Sequence, residues 1–324
     1  MVLRRTLLMV TLLGLCILPC PPRATFGQKK IDGVTRYCRF QVGKKISFGI
    51  VEGNQVRQLD GDLFGTFQKT GTLFPLDKVT LLVPTQPTQV IAMAGNYKSH
   101  LGDEKTITTI ITTETTVTTD AKTGETTSES TSVSEIRRSG ELPEKFQIPQ
   151  PFFKSPSCLQ RHEGDIIVPT GSEVTHFEAE LVIVIGRTAS KVSRESALDY
   201  VFGVTCGNDV SARAWQKGDV QWWRAKGSDT FGPCGPFIAT GLNYDDLLLQ
   251  LRLNGKTMQK ERTSQFLNDI PTMVSFVSQH ITLHPGDLIF TGTPGTTSEI
   301  RPGDVVEVEL EGVGVLRNRV VAEK

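Results

Sequence analysis

Apolar positions along this chain alternate with polar ones or crowd into short unbroken runs, and the 3.6-residue spacing of an amphipathic helix is scarce. Residues 36–40 and 46–51 alternate like half-buried strands, and Glu52-Gly53-Asn54 turns the chain into a third at 55–59. Residues 89–94 form an apolar strand that runs into Gly95 and a polar loop. Residues 182–185 and 201–206 stay apolar or small at consecutive positions, the mark of strands covered on both faces. A strand at 249–253 meets the turn Asn254-Gly255. Pro285-Gly286-Asp287 and Pro302-Gly303-Asp304 repeat one device, a tight turn into a strand. Only two segments read as helices: 193–200, capped by Ser193, and 270–280, with Pro271 in its first turn. The pattern predicts a β-rich α+β fold with short helices.

Three segments stand apart. Arg4-Arg5 precede an apolar run at 7–18, well short of the roughly 20 residues that a membrane span needs. Residues 1–27 therefore read as a secretory signal peptide outside the fold, and an exported, periplasmic or extracellular protein with no membrane span in the mature chain is expected. Retention of the run as a membrane anchor is the alternative. Residues 28–84 read as a small leading β module and 85–324 as the main domain. Within the latter, 105–140 is an insertion rich in Thr, Ser and Glu. Its β-branched threonines and the central turn at Asp120-Ala121-Lys122-Thr123-Gly124-Glu125 predict a projecting hairpin, with a disordered segment as the competing reading. Cys38, Cys158, Cys206 and Cys234 lack paired or Cys-x-x-Cys spacing, so buried free thiols are expected.

Lysine plus arginine and aspartate plus glutamate both number 35, so no global charge draws the chain to nucleic acid or an anionic membrane. The candidate chemistry is local. In Thr175-His176-Phe177-Glu178-Ala179-Glu180-Leu181, strand alternation sends Glu178 and Glu180 the same way, about 7 Å apart along the chain. Two carboxylates at the mouth of a buried strand repel unless a proton or cation lies between them. Oxygen-only ligands suit Mg²⁺, or Mn²⁺ or Ca²⁺, better than Zn²⁺. The competing reading is an edge strand with solvated charges. His100, with Asp103 or Glu104 at helical spacing, makes a candidate base; a plain surface histidine is the alternative. The polar cluster Asn208-Asp209-Val210-Ser211-Ala212-Arg213 ends the apolar run 201–206, where a site on a sheet would sit. His176 shares the face of Glu178 and reads as a partner that orients a carboxylate.

The Glu-x-Glu strand, the Asn-Asp-Val-Ser-Ala-Arg loop, the Lys-Gly-x-Asp-Thr loop and Gly-Asp-x-Ile-x-Thr-Gly-Thr-Pro occur in one order. Together they closely resemble the fumarylacetoacetate hydrolase family, in its acylpyruvase and 2-oxo-hept-3-ene-1,7-dioate isomerase-like branch. The resemblance covers about residues 88–104 and 146–320. It implies a mixed β-roll or β-sandwich core, a homodimer, one divalent metal and a small 2-oxo acid substrate. It also implies Glu178, Glu180 and Asp209 as metal ligands, Lys226 facing the substrate, and Thr293 on the substrate carboxylate. Lys154, Arg213 and Gln216 fall at further substrate contacts. His100 matches the histidine that activates water; its family partner is a glutamate three residues on, where this chain has Asp103, with Glu104 beside it.

The activity implied is metal-dependent hydrolysis of a carbon–carbon bond in a 2,4-dioxo acid such as an acylpyruvate or a fumarylpyruvate-like compound. A 2-oxo acid decarboxylase, isomerase or hydratase is the enzymatic alternative. An exported non-catalytic binding protein on the same fold is the alternative of another class.

Overall fold

The computed structural model describes residues 33–101 and 142–324, together with two strands between them, Thr109–Thr119 and Thr126–Ile136. The largest sheet has twelve strands. Along its main path lie Phe67–Pro75, Gln55–Gly61, Lys45–Glu52, Thr35–Val42, Gly232–Thr240, Val201–Asn208, Ala179–Ile185, Leu288–Phe290, Val90–Met93 and Pro151–Lys154. The first four are an antiparallel meander that joins the rest through Thr35–Val42 against Gly232–Thr240. A second sheet orders Asp165–Val168, Gly314–Ala322, Val305–Leu310, Leu248–Leu253 and Lys256–Arg262.

Ala179–Ile185 is buried at every position, which explains its unbroken apolar run. Leu181, Ile183 and Ile185 enter the core shared with the second sheet and the helix Ile270–His280; Val182 and Val184 enter the core on the opposite face. Strand alternation therefore survives, but both faces are apolar. The helix Ile270–His280 forms where expected, because Asp269 accepts a hydrogen bond from the Thr272 N–H at 2.9 Å and Pro271 occupies the first turn. Asn254 and Gly255 both take positive φ, 51° and 81°, the geometry that joins Leu248–Leu253 to Lys256–Arg262 as a tight hairpin.

Residues 193–200 differ from the expected helix. Only a 3₁₀ turn, Ala197–Tyr200, forms, with Ala197 as its one buried residue. Ser193 and Ser196 bond to each other at 3.2 Å, and a segment with no apolar stripe to bury has little to hold it helical. Thr109–Thr119 and Thr126–Ile136 pair antiparallel in a sheet of their own; the turn at 120–125 and the leader at 1–27 lie outside the described residues. Cys38, Cys158, Cys206 and Cys234 are buried free thiols. Among the described residues, no helix is long and apolar enough to cross a membrane.

The core placement of Ala179–Ile185 makes a direct forecast. Ile183→Ala removes a side chain that is 0% exposed at the centre of the main sheet, so it should cost about 2–5 kcal/mol of unfolding free energy in urea titrations. A loss under about 0.5 kcal/mol would contradict that placement.

Candidate active site

Four neighbouring strands of the main sheet meet at one edge. Val201–Asn208 ends just before Asp209, and its antiparallel neighbour Ala179–Ile185 begins just after Glu178, with Glu180 opposite Gly207. Leu288–Phe290 ends just before Thr291-Gly292-Thr293, and its parallel neighbour Val90–Met93 leads to the short helix Lys98–Leu101 that carries His100. The strand expected at 175–181 is interrupted at Phe177-Glu178. There the Glu178 N–H turns to the Asn208 side-chain oxygen at 2.8 Å, while the Asp209 N–H donates to the Glu178 carbonyl at 2.9 Å. These crossed bonds bring the Glu178 and Asp209 side chains together. Glu180 is fixed from another side, its Oε2 accepting the Gly292 N–H at 2.7 Å. Gly292 has φ +93°, and a Cβ there would lie 2.9 Å from the Asn96 Cβ, so this approach needs glycine.

Glu178, Glu180 and Asp209 are 4%, 1% and 1% exposed, and each presents an oxygen within 4.8 Å of the other two. Two ammonium groups offset the repulsion. Lys226 Nζ donates to Glu178 Oε2 at 2.7 Å and to Asp209 Oδ2 at 2.8 Å. Lys154 Nζ donates to Asp209 Oδ1 at 2.5 Å, to the Phe231 carbonyl at 3.1 Å and to the Lys226 carbonyl. Its three N–H groups are all engaged by the protein itself. Arg213 Nη2 donates to Glu178 Oε1 at 2.6 Å.

The two glutamates respond differently. Burial pushes Glu178 up, but Lys226 and Arg213 outweigh it and bring the group down to about 2. Burial, reinforced by Asp209 and then Glu178, holds the Glu180 carboxyl well above the usual range. Burial opposes charge on Lys226, yet Asp209 and Glu178 leave its ammonium harder to deprotonate than a free lysine. Glu180 Oε1 is buried without a hydrogen-bond partner among the described residues. An orphaned carboxylate oxygen beside two others, in an all-oxygen donor set, fits a hard divalent cation.

The rim carries the other expected residues. His100 Nδ1 lies 2.7 Å from the Gly295 carbonyl, which can only accept, so Nδ1 bears the proton and Nε2 is the basic nitrogen of the neutral ring. Arg213 Nη1 donates to Gln216 Oε1 at 2.7 Å, and Arg213 Nη2 also reaches Thr297 Oγ1 at 2.8 Å. Thr293 is 3% exposed and accepts from Gln259 at 2.9 Å. Asp103 and Glu104 lie outside the described residues. His176 does not join the carboxylates; its Nδ1 is 2.9 Å from Thr297 Oγ1 and so touches Glu178 only through Thr297 and Arg213. Asn208 belongs to the polar cluster expected at the end of the strand, whereas Gln259 and Thr297 were missed by sequence reasoning. Tyr97 was missed too: its hydroxyl is buried without a partner among the described residues, and burial, then the Glu180 charge, raise its pKa.

Residues 123–321 match the fumarylacetoacetate (FAA) hydrolase C-terminal family, and residues 35–84 an Rv2993c-like N-terminal family. An uncharacterized protein of Archaeoglobus fulgidus is 37% identical over 82% of this chain and 90% of its own length. The crystal structure of 2-hydroxyhepta-2,4-diene-1,7-dioate isomerase from Mycobacterium marinum is 34% identical, with TM-score 0.72 over 89% of this chain and 99% of that one. The structure of maleylpyruvate hydrolase from Sphingobium sp. SYK-6 with manganese(II) and pyruvate is 25% identical, with TM-score 0.65 over 89% of this chain and 100% of that one.

These comparisons correct one expectation. The exported, periplasmic or extracellular location, and its membrane-anchored alternative, rested on residues 1–27 alone. The Archaeoglobus and Mycobacterium proteins, matched over nearly their whole lengths, tie the chain to the enzymes of this fold and leave the export reading without support.

Two outcomes follow from the geometry. The Glu180 carboxyl holds its proton to higher pH than an ordinary carboxylate, so Mn²⁺ affinity should climb as pH rises through the range in which that carboxyl ionises, with proton release on binding. Calorimetry in buffers of different ionisation enthalpy reads both; affinity independent of pH would contradict it. Lys154→Met strands a buried Asp209 oxygen and should cost about 3–5 kcal/mol of stability in denaturant titrations. A neutral effect would mean that Asp209 finds another donor.

Proposed function

The chain belongs to the fumarylacetoacetate hydrolase family, and from that premise we propose that it is a divalent-metal-dependent hydrolase cleaving a carbon–carbon bond in a 2,4-dioxo acid, an acylpyruvate or fumarylpyruvate-like compound. The observation that carries the reading is the convergence of three buried carboxylates, one with an orphaned oxygen, beside Lys226. In this reading Glu178, Glu180 and Asp209 hold Mg²⁺, with Mn²⁺ or Ca²⁺ as substitutes; the manganese in the Sphingobium maleylpyruvate hydrolase structure supports a divalent ion. The ion supplies Lewis-acid polarisation of the 2-oxo acid oxygens.

The chain's own residues supply the rest. Lys226 carries a fixed positive charge where negative charge grows on the pyruvate-like half as the bond breaks. His100, with Nδ1–H held by Gly295, offers Nε2 to take a proton from water attacking the distal carbonyl. Asp103 or Glu104 is its proposed carboxylate partner. Arg213, tied to Glu178 and Gln216, and the Thr293 hydroxyl orient the substrate's polar groups. Lys154 is assigned to holding Asp209 rather than to substrate, because its donors are engaged inside the protein. Residues 85–324 carry this chemistry, with 28–84 as a leading module and 105–140 as an insertion. The assembly belonging to this reading is a homodimer, checked by light scattering.

A second reading keeps the site and changes the reaction to decarboxylation or isomerisation; the likeness to the Mycobacterium marinum isomerase favours it. Mass analysis of the products separates them, since hydrolysis adds water across the cleaved bond, decarboxylation releases CO₂, and isomerisation leaves mass unchanged. With an acylpyruvate and Mg²⁺, Glu180→Gln should lose metal binding and turnover together. His100→Ala should keep the metal while losing about 10²–10⁴-fold in kcat. Full activity in both variants would overturn the proposal.

A further inference from the structure

Gln259 lies on Lys256–Arg262 of the second sheet, 4% exposed, and reaches across to the site. Its Oε1 accepts the Ala179 N–H at 3.0 Å; its Nε2 donates to Thr293 Oγ1 at 2.9 Å and to the Pro294 carbonyl at 2.5 Å. The Ala179 N–H can only donate and the Pro294 carbonyl can only accept, so they fix which end of the amide faces Thr293. That end is an N–H. One lone pair of the Thr293 hydroxyl is thus occupied by a donor, and its own proton must point elsewhere. Among the described residues Thr293 Oγ1 donates to nothing. The segment it belongs to bonds Glu180 through the Gly292 N–H at one end and His100 through the Gly295 carbonyl at the other. Thr293 therefore belongs to a segment tied at one end to the carboxylate cluster and at the other to the histidine.

We propose that Gln259 is a positioning residue that sets the Thr293 hydroxyl as a donor, so that this part of the site favours a hydrogen-bond acceptor on the substrate, most strongly a carboxylate, whose charge strengthens the bond. The inference rests on the 2-oxo acid reading above and extends it to a residue on the other sheet. The orientation is built into the fold: Ala179 starts the strand that carries Glu180, so the same backbone that places the acidic cluster also orients the amide. No rearrangement is needed when the anion arrives, which is the condition for a hydroxyl to select by charge.

The test is a double-mutant cycle on the whole protein, with oxalate as the probe and Mn²⁺ present, read by calorimetry. Gln259→Met and Thr293→Val should each weaken oxalate about 10- to 100-fold, the range for losing one hydrogen bond to an anion. Manganese affinity should stay within about twofold, and the double variant should be no worse than Thr293→Val alone. With an acylpyruvate, Gln259→Met should raise KM while leaving kcat nearly unchanged. A merely structural glutamine would instead weaken manganese and oxalate together, and its effect would persist in the Thr293→Val background; either result overturns the proposal. Should Gln259→Met not fold, Gln259→Glu keeps the size and the oxygen facing Ala179 but presents no N–H, and the same cycle applies. Oxalate binding by the unaltered protein with an additive cycle defeats this inference alone. No oxalate binding by the unaltered protein defeats the 2-oxo acid reading and this inference with it.

Discussion

Mutual repulsion among three buried carboxylates is the constraint on which the rest of the site depends. Glu178, Glu180 and Asp209 share a buried corner, where like charges interact far more strongly than at a surface. Lys226 bridges Glu178 and Asp209, Lys154 holds Asp209 from behind, and the half-buried Arg213 caps Glu178. The compensation is incomplete at Glu180, whose free oxygen and raised carboxyl mark the place where positive charge is still wanted. Lys226 sits between Glu178 and Asp209 with its charge assured, which suits a group that must stay cationic while negative charge builds beside it.

The fold answers this constraint with rigidity rather than with loops. Asp209, the two glutamates, the Gly292–Thr293 segment and His100 come from the ends of four strands adjacent in one sheet, so their spacing follows the strand ladder. Apolar cores on both faces of that sheet make its strands hard to displace. The second sheet then does more than cover a face, because Gln259 carries hydrogen bonds from it into the site. Three backbone groups, the N–H of Gly292, the N–H of Ala179 and the carbonyl of Gly295, orient site side chains and cannot be lost by side-chain substitution alone.

Much of this was legible in the residues, for identifiable reasons. Periodicity located the strands because each face of a sheet demands apolar side chains, and the consecutive apolar run at 182–185 announced a strand covered on both sides. Glu178 and Glu180 could be paired on strand alternation, although the strand breaks at Phe177-Glu178 and the bonds to Asn208 and Asp209 are what hold Glu178 in place. The helix at 193–200 failed because a serine cap signals a start but cannot replace an apolar stripe. Lys154 could be singled out as a basic residue, but what its ammonium faces depends on carbonyls of Lys226 and Phe231, far along the chain. Gln259 and Thr297 carried no signal for the same reason: each acts through long-range hydrogen bonds, and no local spacing encodes those. The export reading failed differently, since residues 1–27 bear on targeting and say nothing of the chemistry built behind them.

The central claim is that a divalent cation belongs between the three carboxylates. Diffraction data collected at the manganese absorption edge, from crystals grown with Mn²⁺, test it most directly. The account predicts one strong anomalous peak bounded by Glu178, Glu180 and Asp209. No peak there, with the Lys226 ammonium still bridging Glu178 and Asp209 at saturating manganese, would show that lysine rather than metal is the native counter-charge and would contradict the account.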